Sequence, residues 1–229
     1  MSPSARSVSL LVAGVLGLVP TGGGAAYAVP AAANATTTTT VVSLSTVQSV
    51  YGQAVTATAS VTSSAGPPNG DVYFAVDNLN IKANLLGNGT ASVVLPRLHV
   101  GSHPVVATFV QYPDPTVTST SAPVDWVVQQ VRTRVAVQVT GRRTTGPTAV
   151  RAQVDGEYGT RPSGRVRVVL HRTGTRRTVR VVVPVGATGL AVAPFGRLRR
   201  GAYRAVVTYT GDPDHLRQRR VERFRVSGT

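Results

Sequence analysis

The sequence contains no cysteine. That excludes disulfides, thiolate nucleophiles, cysteine-ligated zinc and a lipid-modified amino-terminal cysteine, and leaves packing as the source of stability. Aromatic residues make up only 5% of the chain. Those in the carboxy-terminal half, Tyr158, Phe195, Tyr203, Tyr209 and Phe224, fall mostly on core-facing positions, so an aromatic platform for base stacking is not expected. Helical periodicity is almost absent. The nine acidic residues are dispersed along the chain, and a hydrolase would need two or three carboxylates or histidines meeting in one cleft. His99 and His103 fall in one turn while His171 and His215 stand alone, which suits neither a metal site nor a Ser-His-Asp arrangement. There is no Gly-x-Ser-x-Gly elbow and no phosphate-binding loop. No catalytic residue, metal, cofactor or small-molecule substrate is therefore expected.

What is present is valine, threonine, alanine and glycine in quantity, the composition of pleated, half-buried strands. The chain also repeats itself. Leu98-His99-Val100-Gly101 followed by Val105 to Phe109 and Pro113-Asp114 returns as Leu198-Arg199-Arg200-Gly201 followed by Ala205 to Tyr209 and Pro213-Asp214. Each repeat is close to the ~100 residues at which a two-sheet sandwich folds alone.

Residues 1–28 read as a secretory signal peptide. Arg6 gives a positive start, Val8 to Val19 an apolar run, Pro20 and Gly22 to Gly24 a break, and Ala26-Tyr27-Ala28 a small-x-small cleavage site. The run of twelve residues is shorter than the ~20 needed to span a bilayer, so no membrane span is expected once the signal is cleaved. Residues 29–35 form a short leader, and Ala33-Asn34-Ala35 offers a second cleavage site. The expected location is outside the cell, with cell-wall association open.

Residues 36–130 make the first domain. Thr36 to Thr40 leads into a strand through Val41 and Leu44. Val55, Ala57, Ala59 and Val61 alternate with threonine and serine, which marks a half-buried strand. Gly66-Pro67-Pro68-Asn69-Gly70 is a turn. Val72, Phe74 and Val76 face inward, as do Ala91, Val93 and Leu95, then Val105, Ala107 and Phe109, and finally Val124, Trp126 and Val128, with Trp126 a core residue. That amounts to about seven short strands, the number of an immunoglobulin-like sandwich. Gln129-Gln130-Val131 is the whole linker, short enough to couple the domains closely.

Residues 131–229 repeat the course, with Val150, Ala152 and Val154 and then Val166, Val168 and Leu170 inward. Arginine differs sharply between the domains. Residues 131–229 hold 21 Arg against five acidic residues, whereas residues 29–130 hold Lys82 and Arg97 against four aspartates. Arg165 and Arg167, then Arg176, Arg177 and Arg180, then Arg219, Arg223 and Arg225 back the apolar positions of three strands. A cationic sheet face would suit a polyanion, since planar guanidinium forks match phosphate and carboxylate. The competing reading is a solvated surface with a compositional arginine bias, lysine occurring only at Lys82. Asp212-Pro213-Asp214 and its counterpart Asp114 offer too few oxygens for calcium and read as turns. Asn34-Ala35-Thr36 and Asn88-Gly89-Thr90 match the glycosylation tripeptide.

These features together resemble the bacterial Ig-like repeats of secreted and surface proteins. The resemblance rests on a Thr-rich opening, Tyr51-Gly52-Gln53-Ala54-Val55, the Pro-x-Gly-x-Val entries at Pro68 and Pro162, the Leu-x-x-Gly corners, and Tyr209-Thr210-Gly211-Asp212. The first repeat departs at that last motif, with Phe109 followed by Val110-Gln111-Tyr112. The resemblance implies an all-β protein of two tandem immunoglobulin-like Greek-key β-sandwiches without disulfides, acting as a non-catalytic structural or adhesion module. Its expected partners are an acidic cell-wall polymer, an acidic polysaccharide or extracellular nucleic acid, or a surface protein. The Leu-x-x-Gly turn ahead of Tyr203 fits a corner in which the Tyr203 hydroxyl returns to the backbone.

Overall fold

The period of a strand is two, so each alternating stretch commits one face to a core and the other to solvent. The computed structural model describes residues 36–228, and the expected signal peptide, leader and cleavage sites lie outside the described residues. In the first repeat the strands are β1 (Thr38–Leu44), β2 (Gln48–Val50), β3 (Thr56–Ser63), β4 (Gly70–Val76), β5 (Leu79–Asn84), β6 (Thr90–Val94), β7 (Gly101–Gln111), β8 (Thr118–Thr120) and β9 (Val124–Gln129). They form a β1-β3-β6 sheet facing a β2-β9-β7-β4-β5 sheet, with β8 added on β7. The alternation read from sequence places the buried residues: Val55, Ala57, Ala59, Val72, Phe74, Val105, Ala107 and Phe109 are all sealed from solvent in one core.

Two strands escape that reading. β2 and β8 are three residues long, too short for alternation to show. β2 pairs in parallel with β9, and it supplies the partner that a buried indole needs. Trp126 is in the core, and its Nε1–H donates to Ser49 Oγ at 2.8 Å, which removes the cost of a buried unpaired donor.

The second repeat has strands β10 (Thr133–Thr140), β11 (Pro147–Gly156), β12 (Arg165–Arg172), β13 (Thr178–Pro184), β14 (Leu190–Arg197), β15 (Gly201–Tyr209) and β16 (Gln218–Val226). Its sheets run β10-β11-β14 and β13-β12-β15-β16, the same order as in the first repeat without the additional strands. A separate core gathers Val150, Ala152, Val166, Val168, Ala205, Val207 and Tyr209. The corner expected ahead of β15 is present: Tyr203 OH donates to Arg199 O at 2.8 Å, and the ring stacks on Phe224 with centroids 5.5 Å apart.

Tyr203→Phe removes only the hydroxyl and keeps the stack, so it should lower stability by about 1 kcal/mol. Phe109→Ala, which opens the first core, should cost about 3–5 kcal/mol. Urea unfolding of each variant against wild type measures both.

Candidate functional site

Register decides which arginines share a face, because residues paired across antiparallel strands point the same way. Inward residues of β12 are Val166, Val168 and Leu170, so Arg165, Arg167, Val169 and His171 point outward. Arg167 lies opposite Val182 on β13 and Thr208 on β15, and Thr208 lies opposite Arg219 on β16. The next outward row is Arg180, Val169, Val206 and Val221. The row after it joins Thr178, His171, Arg204 and Arg223, and Arg225 follows beside Ala202. One sheet face thus carries Arg165, Arg167, Arg180, Arg204, Arg219, Arg223 and Arg225, with a row of valines across its middle. Thr208 is buried between the flanking arginines, and Arg167 Nε is shielded from solvent without a hydrogen-bond partner.

No acidic residue stands on this face. Glu222 pairs with the buried Ala205 and therefore points to the other side. Among the described residues no arginine lies within ion-pair distance of a carboxylate; the side chains that meet carboxylates are Lys82, His99, His103 and His215. The outer face of the β10-β11-β14 sheet differs, since there Arg134 lies opposite Asp155 and Arg151 opposite Gln138. Of the two sheets, β13-β12-β15-β16 therefore carries the larger arginine excess on its outer face.

Of the eight arginines expected to act together, Arg165, Arg167, Arg180, Arg219, Arg223 and Arg225 share the face. Arg176 and Arg177 do not, because the strand begins only at Thr178 and both stand in the preceding connection at the end of the sheet. Arg204 belongs to the face but was not among those eight. It is the lone arginine of an otherwise apolar strand, so no charge run marks it, and only pairing with Arg223 reveals its place.

A second cluster sits where the two repeats meet. Val131 is fully buried, its N–H donates to Asp214 O at 2.9 Å, and its carbonyl accepts from Leu216 N–H at 2.9 Å. The Asp214 carboxylate reaches back to the first repeat, accepting from Val100 N–H at 3.0 Å and from His99 Nδ1 at 2.7 Å. Tyr51 stacks on His99 at 5.8 Å and meets the His215 ring edge-on at 5.5 Å. Close packing requires glycine at Gly52, whose φ is +87° and where a side chain would strike Thr160. At Gly156 a Cβ would meet Thr160 Oγ1 and His215 Nε2.

Asp212 locks the turn that carries Asp214. Its carboxylate accepts from Ser163 N–H (2.7 Å), Ser163 Oγ (3.0 Å), Tyr209 OH (3.0 Å), Asp214 N–H (2.9 Å), His215 N–H (2.8 Å) and His215 Nδ1 (2.8 Å). Burial pushes this carboxyl up, but donation by Ser163 N–H, His215, the Ser163 hydroxyl and Asp214 N–H outweighs it and holds the group well below the usual carboxylate range. Burial, then the hydrogen bond to Asp212, raises the Tyr209 hydroxyl. His215 therefore does not stand alone, as its isolation in the sequence suggested: it is buried and paired with Asp212 and Thr160. His103 likewise pairs with Asp77 at 2.8 Å.

Residues 40–129 match the family model described as bacterial Ig-like domain (group 3). The first repeat is similar to that family. The match covers less than half of the chain, and no curated protein matches the sequence. Among solved structures, the chain is similar to the fibronectin(III)-like modules of Clostridium thermocellum CbhA at 15% identity and a TM-score of 0.31, over 82% of this chain and 95% of that one. It is similar to the Yersinia pseudotuberculosis adhesin InvE at 12% identity and a TM-score of 0.38, over 82% and 58%. A Ca2+-stabilized adhesin that helps an Antarctic bacterium bind ice gives 16% identity and a TM-score of 0.32, over 84% and 49%. This chain thus spans less than two thirds of either adhesin structure. No helix among the described residues is long and apolar enough to cross a membrane.

The Ig-like first repeat lacks an equivalent of Asp212, having Tyr112 in its place, so the carboxylate lock is built only on the second repeat. Because the folded Asp212 carboxyl lies below its unfolded value of about 3.9, its stabilisation is present above that pH and is lost as pH falls further. Asp212→Asn leaves some of these buried donors without an acceptor and should cost about 1–3 kcal/mol at neutral pH. The variant should also lose less stability than wild type between pH 5 and pH 2.5, which thermal melts at each pH will show.

Proposed function

We propose that the chain is a non-catalytic, extracellular adhesion module of the bacterial Ig-like type, held on an acidic polymer through the outer face of β13-β12-β15-β16. The observation that carries this reading is the set of arginines on one acid-free face, each without a carboxylate partner among the described residues. Unpaired charge of one sign raises the local concentration of opposite charge, and a flat array lets a chain of phosphates or carboxylates engage several guanidiniums at once. Strand and row spacings of about 4.8 Å and 6.6 Å set the intervals between neighbouring positions on the face.

The chemistry shared by a teichoic-acid-like wall polymer, an acidic polysaccharide and extracellular nucleic acid is the repeating anion. The row of Val169, Val206 and Val221, which ends on Arg180, carries no aromatic ring. Without an aromatic ring the face offers no stacking platform, and charge attraction is what it supplies.

The full chain should be retained on immobilised teichoic acid, heparin and double-stranded DNA above about 0.15 M salt, where the Debye length is about 8 Å. Replacing Arg167, Arg204 and Arg219 together by glutamine should flatten the dependence of log affinity for DNA on log salt by roughly 3, near 0.9 per lost phosphate contact. Replacing Arg134 and Arg151 instead should leave the slope near the wild-type value. Equal behaviour of the two variants would remove the face as the site.

A further inference from the structure

The corner of the first repeat that meets Asp214 is held by a histidine, and the matching corner of the second repeat by a tyrosine. His103 Nε2–H donates to His99 O at 2.8 Å, and His103 Nδ1 lies 2.8 Å from Asp77 Oδ2. In the second repeat Tyr203 OH makes the corresponding bond to Arg199 O. A phenol hydroxyl supplies the one hydrogen which that bond uses. His103 needs two. Carbonyl and carboxylate oxygens only accept, so the imidazolium alone satisfies both partners together, and the neutral ring gives up one of them. Little water can replace the lost partner, because the His103 side chain is 12% exposed and its ring lies 5.9 Å from that of Trp126.

His215 carries the same requirement on the other side of the joint. Its ring is sealed from solvent, with Nδ1 at 2.8 and 3.0 Å from the two Asp212 oxygens and Nε2 at 3.0 Å from Thr160 Oγ1. Thr160 donates its own hydroxyl hydrogen to Glu157 O at 2.8 Å, which leaves Oγ1 an acceptor toward Nε2. Both nitrogens of His215 are therefore donors, and loss of the Nε2 proton makes the Thr160 hydroxyl leave Glu157 O and turn to the ring. A third histidine, His99, faces the Asp214 carboxylate at 2.7 Å and gains an ion pair with its second proton. Tyr51 packs against both the His99 and His215 rings, and Arg97 lies 5.9 Å over the Tyr51 ring. The Tyr209 hydroxyl completes the titratable surroundings through its bond to Asp212.

We propose that the joint between the repeats is a proton-operated coupling, in which doubly protonated His103 fixes the corner that receives Asp214 and doubly protonated His215 fixes the turn that presents it. Histidine is the side chain whose charge changes between about pH 5 and pH 8. Every proton added at the joint secures a hydrogen bond or an ion pair, so the coupling is complete at the acidic end of that range and weakens as pH rises through it. The Asp212 carboxyl, held below the usual carboxylate range, keeps its charge throughout. Neither hydrophobic core contains a histidine, so each repeat stays folded while its alignment with the other loosens. This inference does not depend on the arginine face holding a polymer.

The absence of cysteine lets the full chain carry two spin labels and no others, at Ser60→Cys in the first repeat and Ala187→Cys in the second, both at exposed positions. Pulsed dipolar spectroscopy then reads the distribution of distances between the repeats. It should be narrow at pH 5.5 and broader at pH 8.5. His103→Tyr, which installs the hydroxyl that the second repeat uses, should stay narrow at both. Asp77→Asn takes away the anion beside His103 and should broaden at a lower pH than wild type. Asparagine suits the φ of +49° at that position, so this variant carries the test where the ring exchange disturbs the fold. A wild-type width that does not change with pH, a folded His103→Tyr chain that broadens as wild type does, or an Asp77→Asn transition at the wild-type pH would each overturn the proposal.

Discussion

A β-strand has two faces and no third, and this chain depends on that constraint throughout. Every valine or alanine sent to a core sends its neighbours to the surface. With no cystine to cross-link the sheets, the cores must be filled strictly, and the buried faces of β3, β4, β7, β11, β12 and β15 show almost no interruption. The same strictness makes the outer face of β13-β12-β15-β16 uniform. Arginines on alternate positions of β12 and β16 cannot scatter; pairing brings them into register with Arg180 and Arg204. Packing thus creates the cationic lattice as a by-product of filling the core.

The two repeats are joined by polar chemistry and by one tight turn. Asp212 gathers six donors on one carboxylate, which fixes the loop after β15 and aims Asp214 at the first repeat. Val131, Tyr51 and Gly52 supply the close packing around it. Residues 36–229 consequently cluster as one compact unit despite holding two separate cores. A buried carboxylate with this many donors is costly to disturb, and the joint is directional because the first repeat has Tyr112 where the second has Asp212.

Much of the fold was legible in the sequence because period-two alternation survives in Val55 to Val61, Val72 to Val76 and Val166 to Leu170. Trp126 and the Tyr203 corner were legible for related reasons, one from its apolar neighbours and the other from a turn of fixed length. β2 and β8 were not, since three residues hold no period. The junction was hidden more deeply. His99 and Asp214 are 115 residues apart and meet only through tertiary folding, and nothing local distinguishes His215, buried against Asp212, from a solvated histidine. The arginine face was half legible: strand runs exposed Arg165, Arg167, Arg219, Arg223 and Arg225, while Arg204 needed the register. Arg176 and Arg177 were drawn in by proximity in sequence to a strand that starts after them.

The proposed hold on an anionic polymer rests on the arginines of one sheet face and not on the total charge of the second repeat. Arginine-selective chemical modification with and without bound teichoic acid, read residue by residue by mass spectrometry, tests this most directly. Arg165, Arg167, Arg180, Arg204, Arg219, Arg223 and Arg225 should be protected, with Arg134, Arg142 and Arg151 modified as fast as in the free protein. Uniform protection of all arginines, or protection confined to the opposite sheet, would contradict it.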